Sequence, residues 1–234
     1  MIKKGLLVIF MIITLIGVSG CMSKQKSNEP SVKEQVEKYM KDKYNEEFKV
    51  VGGGTEAWNA PYQEIYVTTP KFPNAEIMIR RDKKSGEMID NYMDYLMKSK
   101  IEDVMNKIVS QVYPKSKVFY NTEGAPIAGA TPQMSVDEYI KVCTLSLIIC
   151  ISDSEYKINK DQKVELLRKK FEEKQFVPSM TMYYLVNGKI DMINTNNWRD
   201  LLNGTSQKEW WTLRGDFDMD KSYRYIFNEW REVK

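Results

Sequence analysis

The sequence predicts an α+β fold, in which amphipathic helices pack on one or two largely antiparallel sheets. Three observations carry that expectation. Apolar residues recur at spacings of three and four over 32–44 and 89–112, the period of a helix with one buried face. Runs rich in β-branched and aromatic residues at 62–68 and 75–80 lie between prolines and a glycine turn, as strands do. Asn187-Gly188 separates 180–186 from 189–193 and is the preferred two-residue turn of a type I′ hairpin, which would make the sheet at least partly antiparallel.

Taken in order, Ser31 and Glu34 follow Pro30 as a capping box, and Val32, Val36, Tyr39, Met40 and Tyr44 form the apolar stripe of a first helix. A strand at 48–51 ends in Gly52-Gly53-Gly54. The strands at 62–68 and 75–80 are bounded by Pro61, Pro70, Pro73 and the Lys84-Ser85-Gly86 turn. A long helix then runs from Ile89 through Met93, Met97, Ile101, Met105 and Ile108 to Val112, until Pro114 stops it. Residues 117–120 read as a strand. Residues 121–133, with two prolines and two glycines, read as a linker or a long surface loop. Beyond it, Ser135 and Glu138 form a second capping box before a short helix. An apolar run covers 142–151, and Val164, Leu167 and Phe171 share one face of a further helix. The body thus reads as an α+β unit over 31–120 and another over 134–234, which the sequence leaves free to be one continuous domain.

Composition excludes more than it assigns. With 234 residues, 42% of them hydrophobic and 29% charged, the chain is neither collagen-like, disordered nor a multi-span membrane protein. It contains no histidine, so a Ser-His-Asp triad, a Cys-His dyad, a His-ligated zinc and a histidine base are all excluded. Three cysteines are too few for a disulfide scaffold.

The amino terminus has its own pattern. Lys3 and Lys4 precede an apolar stretch over 5–18, and Val18-Ser19-Gly20-Cys21 follows. This tetrapeptide resembles the lipobox of bacterial lipoproteins. The resemblance implies that 1–20 is a signal peptide removed before Cys21, that the Cys21 sulfur carries a diacylglyceryl group, and that the new amino terminus is acylated as well, by a fatty acid such as palmitate. Several acyl chains on one residue hold a protein lastingly, where a single chain holds it only marginally. Residues 21–30 are polar and would be a lipidated tether, placing the body at the extracytoplasmic face of the cell membrane. Removing 1–20 takes two lysines and no acid, so the formal charge of +3 falls to +1 and supports no claim about acidic partners.

Chemical motifs are incomplete. Cys143 and Cys150 lie seven residues apart, too far along a strand or a helix for a bridge, and read as buried free thiols. Ser154 and Lys157 match Ser-x-x-Lys, but its Ser-Asp-Asn and Lys-Thr-Gly companions are missing. Asp216, Asp218 and Asp220 alternate like the first ligands of a calcium loop, yet Lys221 and Phe227 stand where glycine and glutamate are required. They read as a solvated edge with Phe217 and Met219 turned inward. Of the late aromatics, Trp198, Trp210, Trp211 and Trp230 are the candidate binding residues, with ordinary core as the competing role. Trp210 and Trp211 stand out because neighbours on a strand face opposite ways. Tyr223, Tyr225 and Phe227 would share one face.

The sequence therefore points to a non-enzymatic, lipid-anchored extracytoplasmic protein that binds a protein or an envelope glycan. It calls for no catalytic residue, cofactor, metal or nucleic acid. The alternatives are a carboxylate-based envelope glycan hydrolase and a small solute-binding lipoprotein of an importer.

Overall fold

The computed structural model describes residues 30–53, 58–122, 124–152, 154, 159–204 and 209–232. The chain divides into two units, Met1–Gln35 and Val36–Lys234. Of the first, the described part is 30–35, where the Ser31–Glu34 capping box forms as expected: Ser31 N–H donates to Glu34 Oε2 at 2.7 Å and Glu34 N–H to Ser31 Oγ at 3.3 Å. Cys21, the signal peptide and the tether lie outside the described residues.

Among the described residues, five α-helices and two sheets of four and five strands make an α+β fold. The first sheet has the order β1 (Lys49–Gly53), β2 (Tyr62–Thr69), β3 (Phe72–Asp82) and β4 (Met88–Asp90), all antiparallel. Alternation sends Ile65 and Val67 of β2 and Ile77 and Ile79 of β3 to a buried face, leaving Tyr66 and Met78, which are cross-strand partners, on the other. Helix α1 (Val32–Tyr44) buries Val36 and Met40. At its end Tyr44, Phe48, Phe72 and Tyr92 form an edge-to-face aromatic cluster with neighbouring centroids 4.7–6.1 Å apart.

Helix α2 (Tyr92–Val109) is shorter than its apolar period suggests. Ile89 belongs to β4, paired with Arg80, because an apolar stripe continues through a short strand as readily as through a helical turn. At the other end the helix stops at Val109, although Val112 and Tyr113 remain buried.

The second sheet has the order β5 (Ser116–Tyr120), β6 (Ser146–Ser152), β7 (Ser179–Leu185), β8 (Trp211–Met219) and β9 (Tyr225–Glu232). Only β6 and β7 among these pair in parallel, across helix α4 (Lys160–Lys174). One face carries Val118, Tyr120, Leu147, Ile149, Ile151, Met180, Met182, Tyr184, Leu213 and Phe217. It is covered by α2, by α3 (Val136–Val142) with Tyr139 and Ile140, and by α4 with Val164, Leu167 and Phe171. β5, before residues 121–133, pairs with β6, after them, and the same buried cluster draws on both sides of that loop.

The opposite face carries Phe119, Cys150, Tyr183 and Leu185, packed with Ile193, with Trp198 and Leu202 of α5 (Trp198–Asn203), and with Trp210 and Trp211. Here the expected hairpin is corrected. Asn187-Gly188 does make a turn, with Lys189 N–H donating to Val186 O at 3.0 Å, but only Gly188 has a positive φ, 79°, so it is not the expected type I′ turn. Lys189–Asp191 then winds into a 3₁₀ turn instead of a strand. β7 is already paired on both edges, with β6 and β8, so a returning strand has no edge to join.

A bulge corrects a second expectation. Met219 pairs with Tyr225 but Asp218 with Phe227, so Ile226 is extra and the two aromatics fall on opposite faces. Tyr225 packs on Phe217, Phe227 is 42% exposed, and Tyr223 sits in the turn at φ 58°. Phe217 and Met219 are buried as expected, with Asp216 and Asp218 partly exposed. Cys143 and Cys150 are free thiols, and burial raises the Cys143 pKa to about 12.

Candidate functional site

Two features of the body hold concentrated chemistry: a buried cluster of carboxylates and tyrosines, and a groove beside it.

The cluster begins where β4 becomes α2. Asp90 ends the strand and Asp94 lies in the first helical turn, both 1% exposed. Asp90 Oδ2 accepts from the Tyr39 hydroxyl and from Lys43 Nζ, each at 2.7 Å. Its Oδ1 accepts from the Tyr44 hydroxyl at 2.6 Å and from the Tyr92 N–H at 3.0 Å, which satisfies a first-turn donor of α2. Four donors, one of them cationic, fill this carboxylate. Asp94 is less well supplied. Its Oδ1 accepts from the Tyr120 and Tyr139 hydroxyls at 2.5 and 2.7 Å, while Oδ2 is buried without a hydrogen-bond partner. Burial raises the Asp94 pKa to about 6; the two tyrosine bonds pull the other way and do not cancel it. Burial first, and the neighbouring carboxylates second, push all four tyrosine hydroxyls up, so they stay protonated and donate.

Neither aspartate belongs to a recognisable motif. A signal was present: Asp90 and Asp94 continue the line of Met97, Ile101, Met105 and Ile108 toward the amino terminus, and an acid on a buried stripe requires partners.

Asn91, between them, joins the cluster to the groove. Its Oδ1 accepts from Met78 N–H at 2.8 Å, and its Nδ2 donates to Gly124 O at 3.1 Å, tying β3 to the loop at 121–133. The groove, of about 520 Å³, is walled on one side by Tyr66, Asn74, Glu76 and Met78 and on the other by Thr195, Trp198 and Arg199, with Asn91, Tyr95, Lys98 and Thr122 also lining it. Arg199 lies over the Trp198 ring at 5.0 Å and donates to Asn121 Oδ1 at 2.7 Å. The lining combines aromatic rings, amides, hydroxyls, two cations and one carboxylate, which suits a polar ligand with some apolar surface.

Of the four tryptophans expected as binding residues, Trp198 reaches this groove, though it is 5% exposed and stacks on Phe119 at 6.1 Å. Trp210 and Trp211 are buried together in the cluster on the far face of the second sheet. They escape strand alternation because Trp210 precedes β8 and Trp211 opens it, beside a bulge. Trp230 packs on Phe217 at 5.0 Å, and its Nε1 donates to Asp161 at 2.9 Å. Its ring also lies across Gly215, where a Cβ would approach within 2.6 Å. Ser154 borders a separate hollow with Ser152, Lys115 and Lys117; Lys157 lies outside the described residues.

Among the described residues, no group of three or more Cys, Asp or Glu is placed to hold a metal ion, and no helix is long and apolar enough to cross a membrane. No protein-family model matches the chain, and no curated protein does. A DUF5037 family protein from Ruminococcus gnavus is similar to it at 15% identity and a TM-score of 0.36, over 84% of this chain and 95% of that one, a likeness too loose to bear on function.

Proposed function

We propose that the protein is a lipid-anchored, extracytoplasmic binding protein whose ligand, an envelope protein or glycan, sits in the groove between β3 and α5. The groove carries this reading: it is open, mixed in polarity and walled by side chains from both sheets' neighbourhoods. The lipobox-like Val18-Ser19-Gly20-Cys21 supports the anchor, and the absence of histidine favours binding over catalysis. The hydrolase alternative needs two carboxylates flanking one space about 5 to 9.5 Å apart. The groove lining contributes one, Glu76, while Asp90 and Asp94 are sealed beneath tyrosine hydroxyls. The importer alternative asks for two lobes hinged at 121–133, and the β5–β6 pairing carries one sheet across that loop.

The test fills the groove without touching the core. Asn74→Trp should leave the melting temperature within about 3 °C of wild type, since Asn74 is exposed. Crosslinking in intact cells followed by capture should lose the wild-type partner by roughly tenfold, which corresponds to about 1.4 kcal/mol. Unchanged recovery of the same partner by the filled-groove variant would refute the groove as the binding site.

A further inference from the structure

The tryptophans of the body fall into two kinds. Trp198, Trp210 and Trp211 are 5, 9 and 8% exposed, and Trp230 is half-buried against Phe217. Trp58 is 93% exposed. It lies on the connection from β1 to β2, at the end of the first sheet where β3 turns into β4. Lys83 N–H donates to Pro61 O at 2.9 Å, which holds that turn against the segment carrying Trp58. The turn brings Lys83 and Lys84, both exposed, to the same end of the sheet. Asp82 is engaged with the backbone, its Oδ1 accepting from the N–H groups of Lys84 and Ser85 at 2.8 and 2.6 Å. Val51 is a further exposed apolar residue, 58% accessible, on the outer strand β1.

We infer that this tip is a membrane-contact site, with Trp58 seated among the headgroups of an anionic bilayer and Lys83 and Lys84 facing their phosphates. The inference rests on the lipid-anchored reading above. Indole rings favour the membrane–water interface, where the ring is shielded while its N–H stays hydrated. Lysines beside it are drawn to negative headgroups within a Debye length of the surface. A tether over 21–30 spans at most about 35 Å when fully extended, so the body of an anchored chain never leaves the neighbourhood of the bilayer. Charge favours the lipid surface as occupant: the turn beside the Trp58 segment carries Arg81, Lys83 and Lys84 against Asp82 and Glu87, a cationic excess next to an exposed ring that an anionic headgroup layer matches.

The test uses the full lipidated protein reconstituted into vesicles of phosphatidylcholine and phosphatidylglycerol with brominated acyl chains. Because the other described tryptophans are buried or half-buried, bilayer quenching of tryptophan emission reports mainly on Trp58. Wild type should be quenched at least about twofold more than Trp58→Phe. The difference should shrink to roughly half or less when Lys83 and Lys84 are both replaced by alanine, or when phosphatidylglycerol is omitted. Equal quenching of wild type and Trp58→Phe would overturn the inference, whether Trp58 then meets a protein, a second copy or solvent. Lipid labelling and vesicle flotation run alongside: a lipidated, floating protein with equal quenching loses the contact site and keeps the anchor, whereas one that neither carries lipid nor floats loses both.

Discussion

Asp90 and Asp94 stand four residues apart at the same depth, yet the fold treats them differently. Asp90 receives four hydrogen bonds, including one from the Lys43 ammonium. Asp94 receives two, both from neutral hydroxyls and both on one oxygen. An ionised carboxylate is tolerated in a protein interior where charge and lone pairs are both met, and it takes up a proton where they are not. Asp90 thus joins α1 to the β4–α2 corner through four hydrogen bonds, whereas burial with fewer donors raises the Asp94 pKa to about 6.

Three perturbations would break or sharpen that contrast. The largest effect is expected for Asp90→Ala, which strands Lys43 and three other donors. Removing one partner of a buried pair costs about 3–5 kcal/mol, and urea denaturation should show it. A loss below about 1 kcal/mol would mean that Asp90 is no lock.

Next comes the pH response of Asp94. Its folded pKa of about 6 lies above the reference value of 3.8, so the folded state holds the proton more tightly. The resulting stability is fully present below pH 3.8 and is lost as pH rises through 6, a fall of about 3 kcal/mol at 1.36 kcal/mol per unit. Asp94→Asn should abolish this component. The wild-type-minus-variant difference removes the contribution of Glu102, which burial also raises. Parallel stability curves for the two proteins between pH 4 and 7 would contradict it. The smallest effect is that of Tyr139→Phe, which removes one of the two bonds to Asp94. About 1 kcal/mol should be lost at pH 7 and the Asp94 transition should move upward, as followed by carboxylate NMR.

Local rules made much of the fold legible. Both capping boxes, α1 over Val32–Tyr44, the strands β2 and β3 before the Lys84-Ser85-Gly86 turn and the inward Phe217 and Met219 all follow from a few neighbouring residues. What escaped depends on residues far apart. Asn187-Gly188 makes a turn, though not of type I′, and long-range pairing of β7 with β6 and β8 decides that no strand follows. The bulge at Ile226 reverses a face through its register with β8, which no residue of β9 announces. The groove was illegible for the same reason: Tyr66, Asn91, Thr122 and Arg199 have no common spacing and meet only through the fold. Of the candidate binding tryptophans Trp198 alone lines it, because late aromatics are also what a second core cluster consumes.

The claim on which the rest stands is that the chain is held at a membrane by lipid on Cys21. Cells fed a labelled fatty acid, expressing either the wild type or Cys21→Ala, test it directly. The account predicts label on the wild type, processed to begin at Cys21, and an uncleaved, unlabelled Cys21→Ala precursor. Equal label in the two proteins, or none in either, would contradict it.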